Sequence, residues 1–249
     1  MEAGNDMPRV YKLLKKGIDQ LLIEENLFDE KVKITCRTLT PEEALGNPER
    51  DDFPLQKGRE KLMQAEIGQY AGQAFTDRPG NLSGTVQEVL ALPPVNNYNR
   101  AAIVATLNAL LRKSGRIENS VHCKDDGPRL CSIDLTSELK QKYGSPRLVM
   151  IGLQPAMAEA LSSEFDMKIM DLDPGNAKKM FNKIQVETAP YSIADLEAWA
   201  DLFLVTGSTV VNGSIDNFLN LRKPVLYFGT TIAGPAEMLG LERICPRST

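Results

Sequence analysis

RLVMIGLQPA (147–156) is followed by three runs of the same design: MKIMDLDPGN (167–176), DLFLVTGSTVVNG (201–213) and KPVLYFGTTIAG (223–234). Each begins with a short apolar stretch and ends in a polar, Gly-containing or acidic segment. Apolar residues that run on without alternating mark strands covered on both faces, as in a parallel sheet. Their polar ends then lie along the carboxyl edge, where open α/β folds place their ligands. The chain is expected to be α/β, with its functional site on that edge.

The first half has a different pattern. In Pro8 to Glu25, the residues Val10, Leu13, Leu14, Ile18, Leu21 and Leu22 recur at helical spacing between charged residues, which predicts an amphipathic helix. KVKITCRTL (31–39) alternates and predicts a strand, whereas PEEALGNPERDDFPLQKG (41–58) is turn-rich and predicts an exposed loop. Residues 61–76 suit a pair of strands around Gly68. Residues 84–92 and 97–114 suit helices, the second apolar on one face and closed by Gly115. An α+β unit over 1–116 followed by a parallel-sheet unit over 117–249 is therefore expected, with the boundary in the polar segment Arg116 to Arg129.

Composition excludes several classes of function. The net charge of -4, with no long basic run and 6% aromatic residues, offers neither a phosphate-tracking stripe nor a base-stacking platform, so nucleic acid is not an expected partner. The charged N-terminal segment lacks a signal-peptide core, and no apolar run approaches the roughly 20 residues that span a bilayer, so no membrane partner and a cytoplasmic location are expected. Cys36, Cys123, Cys131 and Cys245 are widely spaced in a chain large enough to bury a core, and are expected as thiols rather than a disulfide framework. The composition leaves room for a homo-oligomer.

The chemistry-bearing residues gather at strand ends. Gly152, Gln154 and Pro155 occupy the first strand-to-helix turn of the second half, where a nucleotide fold carries its phosphate loop, but a single glycine denies a pyrophosphate its close approach to the backbone. Asp171 and Asp173 end the next strand, and could hold a ribose, ligate a hard metal or simply make a turn. Thr206, Thr209, Asn212 and Thr231 follow the last two strands, where hydroxyls beside backbone N–H groups suit an anion as well as a helix cap. The loop 72–84, with Thr76, Asp77 and Asn81, and the amide cluster Asn96, Asn97 and Asn99 are candidates to face that edge. His122, Cys123 and Cys131 are the candidate metal ligands, since imidazole and thiolate suit soft or borderline ions. A tetrahedral site would need Cys36, Cys245 or a carboxylate as well. The only histidine has no G-x-S-x-G beside it in the chain, which disfavours a serine hydrolase.

The runs GQAFTDRPGNLSGTVQEVLALPPVNNYNRAAIVATLNALLR, VHCKDD, IGLQPAM, DLDPGN, ADLFLVTGSTVVNGSIDNFL and KPVLYFGTTIAGPAEMLGLERIC, in this order, resemble the prokaryotic putative heavy-metal chelation family. The resemblance covers about Leu55 to Cys245, and the first fifty residues are less distinctive. It implies an N-terminal domain similar to that of enolase, without the catalytic barrel, joined to a Rossmann-like C-terminal domain with the site in the cleft between them. The implied cleft takes Thr76, Asp77, Asn81, Asn96 and Asn97 from one side. From the other it takes Gly152, Gln154, Asp171, Asp173, Thr206, Thr209, Asn212 and Thr231.

Two functions follow as expectations. The first is binding of a metal, divalent or heavy, or of a small metal-associated ligand in that cleft. The alternative is an enzyme acting on an anionic small molecule, with Asp171 or Asp173 as ribose contact or general base and the Thr-rich turns holding the anion. A pure interaction module has least support, because so many polar groups converge at strand ends.

Overall fold

The computed structural model describes residues 7–24, 31–32, 37–40, 42–43, 46–47 and 60–249; most of the expected loop at 41–58, and Cys36 within the expected strand at 31–39, lie outside them. Helix α1 (Arg9–Glu24) forms where the amphipathic spacing predicts it and buries Val10, Tyr11, Leu14, Ile18, Leu21 and Leu22. Tyr11 takes the place expected for Leu13, which stays 39% exposed. The free N–H groups at the start of α1 are capped from the far end of the chain: Arg9 and Val10 donate to the Asp216 carboxylate at 2.6 and 2.9 Å, a favourable place for a negative charge.

Strands β1 (Lys61–Ile67) and β2 (Tyr70–Thr76) form the expected antiparallel hairpin. Arg37–Thr38 adds to β1, and Lys31–Val32 pairs with Gly84–Thr85 ahead of a short helix, Val86–Leu90. Helix α2 (Asn97–Lys113) departs from expectation. Instead of one apolar face, every residue from Ala101 to Leu111 is buried. The reason is its position: the hairpin lies against one side, and helices of the second half lie against another, so AAIVATLNALL is enclosed all round, apolar except for Thr106 and Asn108, whose side chains are hydrogen-bonded inside. The hairpin approaches to backbone contact. A Cβ added at Gly72 would stand 2.2 Å from the Ala109 nitrogen and 2.3 Å from the Ala105 oxygen. Gly72→Ala is accordingly expected to destabilise the protein by about 3 kcal/mol, the upper range for overpacking, measured as a shift in urea midpoint at constant slope.

The second half opens with helix α3 (Gly127–Tyr143), which falls across the expected boundary segment. It buries Pro128, Cys131, Leu135 and Leu139, a helical spacing that the intervening polar residues conceal. Then come β3 (Leu148–Ile151), α4 (Pro155–Ser162), β4 (Met167–Asp171), β5 (Ile184–Thr188), α5 (Ile193–Trp199), β6 (Leu202–Thr206), α6 (Ser208–Asn212), β7 (Val225–Phe228), α7 (Ala233–Leu239) and β8 (Arg243–Ile244). The strands lie in the order β5-β4-β3-β6-β7-β8, all parallel, with Met180–Phe181 antiparallel at the β5 edge. The fold is α/β, and this order is the doubly wound one, which reverses direction between β3 and β6.

The sheet sorts its residues by strict alternation. Leu148, Met150, Leu202, Leu204, Leu226 and Phe228 pack with α3 and α4 on one face. Val149, Ile151, Phe203, Val205 and Tyr227 join α1, α2 and the β1–β2 hairpin on the other. One apolar cluster thus runs through both halves of the chain, and the last residue returns to the centre, where the Thr249 and Val121 backbones exchange hydrogen bonds of 2.7 and 3.0 Å. Among the described residues no helix is long and apolar enough to cross a membrane.

Candidate functional site

Where the strand order reverses, the loops after β3 and β6 diverge and leave a crevice. The end of β2 and the start of α2 close it from the other side, making a cleft of about 270 Å³ lined by Glu60, Thr76, Asp77, Asn97, Gly152, Asp171, Asp173, Asn176, Tyr191, Thr206, Ser208, Thr209, Asn212 and Ser214, among others. Gly152 permits this convergence. Its φ of +88° is disfavoured for other residues, and a Cβ there would lie 2.4 Å from the Thr206 methyl carbon.

The turn after β3 does not offer itself to a phosphate. The Leu153 N–H donates to Asp171 Oδ2 at 2.6 Å. The N-terminus of α4 is capped by Gln154, whose Oε1 accepts from the Met157 N–H at 2.6 Å, and Pro155 has no N–H to give. Asp171 Oδ1 accepts from the Asp173 N–H at 2.8 Å and from Asn176 Nδ2 at 3.1 Å. Asp171 therefore clamps the two loops together, and an anion would have to displace a carboxylate from the donors it needs. Thr209 likewise spends its hydroxyl inward, donating to the Thr206 carbonyl at 2.7 Å.

The charge of the cleft is one-sided. Among the described residues none of its lining side chains is Lys, Arg or His. Glu60, little exposed, carries a carboxyl raised from 4.5 to about 7, first by burial and then by the carboxylates of Asp171, Asp77 and Asp173 facing it. Tyr191 is raised for the same two reasons, burial and Asp171. Asp77 is held by Asn97, whose Nδ2 donates to Oδ1 at 2.7 Å. Clustered carboxylates of this kind repel one another.

A second cavity of about 100 Å³ adjoins the first, sharing Glu60, Phe75, Leu153, Thr206 and Ser208, and continues to Cys123, Cys131, Cys245, His122, Met157, Gln154 and Thr231. All three cysteines are free thiols. Burial, and then the neighbouring Cys245, push Cys123 up to about 12. Cys131 is raised by burial, Cys245 and Cys123 in turn. His122 Nδ1 lies 2.5 Å from the Cys123 carbonyl, an atom that can only accept, so Nδ1 carries a proton. Its ring stands edge-on to Phe75 at 5.6 Å. The donor chemistry here, three sulfurs and a thioether, suits a soft ion. The spacing is a different matter: among the described residues no three His, Cys, Asp or Glu side chains are gathered closely enough to hold one ion. The expected trio His122, Cys123 and Cys131 shares a cavity but is not an assembled ligand set.

Of the remaining candidates, Thr231 joins the two halves, its Oγ1 accepting from the Phe75 N–H at 3.0 Å. Asn96 and Asn81 line neither cavity. Asn96 caps α2 by accepting from the Asn99 N–H, and the Asn81 carbonyl accepts from the Tyr98 hydroxyl. Glu60, Tyr191, Asn176, Ser208, Ser214 and Cys245 belong to the cavities without having been picked out beforehand as site residues. Cys245 carried a signal as a thiol in search of partners, and Ser208 and Asn176 stand inside the strand-end runs LVTGST and DLDPGN.

The model of the family described as putative heavy-metal chelation (DUF364) matches residues 135–235, from the middle of α3 into α7. Over that stretch the chain is similar to this family. The match takes in the loops after β3, β4 and β6 that form one wall of the cleft. A DUF364 protein of unknown function from Pyrococcus horikoshii is similar in structure at TM-score 0.56 and 16% identity, over 89% of this chain and 79% of that one. A second, from Desulfitobacterium hafniense DCB-2, is similar at TM-score 0.51 and 13% identity, over 94% and 83%. These likenesses are of fold. Among curated proteins, none matches the chain.

Proposed function

We propose that the protein binds a small cationic metal complex in the cleft at the carboxyl edge of the parallel sheet. The observation that carries this reading is the cleft's lining: Glu60, Asp77, Asp171 and Asp173 face one space with no basic side chain among its described lining residues. A bare ion is not the favoured form of the ligand, because among the described residues no three His, Cys, Asp or Glu side chains converge on a point. A metal that arrives with its own donors needs only charge, shape and hydrogen-bond acceptors from the protein, and the cleft has these in carboxylates, Ser and Thr hydroxyls and the Asn212 amide. The family description, heavy-metal chelation, points to the same class of ligand. The doubly wound strand order supports the alternative of a nucleotide or other anion. Against it stand the Asp171 carboxylate on the Leu153 N–H and the self-capped start of α4.

Hexaamminecobalt(III), an inert trication that brings a full shell of N–H donors, is a suitable probe. Calorimetry is expected to show saturable binding that weakens with added salt. Asp77→Asn and Asp173→Asn should each lower affinity about 5-fold, the worth of one partly exposed charge of about 1 kcal/mol. Tighter binding of NAD or inorganic phosphate than of the trication would overturn the proposal.

A further inference from the structure

We propose that Cys245, together with Cys123 and Cys131, makes a second site, for a bare thiophilic d10 cation, in the cavity next to the carboxylate cleft. Three separate elements deliver these sulfurs to one small space. Cys131 sits in the second turn of α3 and is buried. Cys123 precedes that helix, and its side chain lies over Gly127: a Cβ added there would be 2.7 Å from Cys123 Cβ and 3.3 Å from its Sγ. Gly127 and Cys131 are one turn apart on the same face of α3, so the missing side chain at 127 is what lets the Cys123 thiol lie beside the Cys131 turn. Cys245 directly follows β8 and lines the same cavity as the other two thiols. Met157 adds a thioether to the wall.

The chemistry of this cavity differs from that of the cleft. Apart from Glu60, which stands between the two, it has no carboxylate among its described lining residues, and three thiols and a thioether give it soft donors. A d10 ion such as Cu⁺ is satisfied by two sulfurs in line, so the lack of a gathered set of three donors is no obstacle to it. Two neutral thiols and Cu⁺ give a bis-thiolate complex and two released protons, with no change of oxidation state. Rotation about one Cα–Cβ bond swings each sulfur, so Cys245 can be shared with either partner. This site goes beyond the cleft reading, because it takes the ion and not its complex, and either can hold without the other.

The test uses the full-length, reduced protein under anaerobic conditions, with Cu⁺ titrated against the chromophoric chelator bathocuproine disulfonate. One equivalent is expected to move to the protein, with affinity rising from pH 6 to pH 8 as protons are released. Cys245→Ser should weaken binding 10-fold or more, taking the 10 to 100-fold effect of outer-shell changes as a floor for a direct ligand. The double variant Cys123→Ser/Cys131→Ser should do the same, while either single change costs less and Cys36→Ser nothing. The double variant also keeps the test open if Cys245→Ser fails to fold. Wild-type affinity in both, or loss confined to Cys36→Ser, overturns the proposal. Hexaamminecobalt(III) binding that persists in Cys245→Ser shows that the cleft reading stands or falls separately.

Discussion

Asn108→Leu is expected to lower unfolding stability by about 4 kcal/mol and the melting temperature by roughly 10 °C. Asn108 is fully buried in the middle of α2 and ties three segments together. Its Nδ2 donates to the carbonyls of Gln73, Thr230 and Thr231 at 2.9, 3.1 and 3.2 Å. Its Oδ1 accepts from the Gly234 N–H at 2.6 Å, which caps the first turn of α7 where Ile232, at the N-cap position, supplies no side-chain acceptor. Leucine keeps the volume but leaves those backbone groups in an apolar interior, at about 1 to 3 kcal/mol for each one orphaned. Three of the four partners belong to the loop after β7 and the start of α7, and the fourth to β2. The same change should therefore loosen the seam along which Phe75 meets Thr231. Urea unfolding measures the first effect, and amide exchange at Gly234 and Phe75 the second. A loss under 1 kcal/mol would mean that water enters and replaces the amide.

Glu60→Gln is expected to stabilise the protein by up to about 3 kcal/mol at pH 8 and to change nothing below pH 4.5. The carboxyl titrates near 7 in the folded protein and near 4.5 when unfolded, so between those values the folded chain holds a proton that the unfolded chain has lost. Stability from this group is complete below 4.5 and is lost as pH rises to about 7, where an ionised Glu60 faces Asp171, Asp77 and Asp173. Glutamine removes the charge and with it the pH dependence. Unfolding curves at pH 4.5, 6 and 8 give the comparison directly, and equal stabilities at pH 8 would show that the carboxylates are screened by solvent. A bound trication should narrow the difference at pH 8, because it offsets the charge that the substitution removes.

How far the sequence could be read follows from the distance over which each feature is decided. The four long parallel strands were legible because burial on both faces turns each into an unbroken apolar run, as in Leu148–Ile151 and Leu202–Thr206. The polar segments behind them were legible as a carboxyl edge, and the structure does gather Gly152, Asp171, Thr206 and Asn212 with Thr76, Asp77 and Asn97 around one cleft. Helix α3 was missed because a Cys, a Pro and two Leu make a faint stripe. Helix α2 was recognised but given one apolar face, since nothing in residues 101–111 says what will lie on the other side.

The set of charges that gathers at the site was not legible. Asp171 reads as a ribose contact, a hard-metal ligand or a turn residue, and only the fold shows it taking the Leu153 N–H, 18 residues back. Thr-rich turns read as hydroxyls beside free N–H groups, and only the fold shows Thr209 donating to the Thr206 carbonyl and Thr231 accepting from the Phe75 N–H. Glu60 has no local pattern, and its carboxyl is raised first by burial and then by the carboxylates of Asp171, Asp77 and Asp173 that two other segments bring to it. Local periodicity and turn chemistry were enough to determine an α/β chain with a polar sheet edge, because strands, helices and turns are chosen by neighbours a few residues apart. Which charges gather at that edge, and whether Cys123, Cys131 and Cys245 ever share a cavity, was decided by tertiary packing, because both depend on distances between segments that the order of residues does not contain.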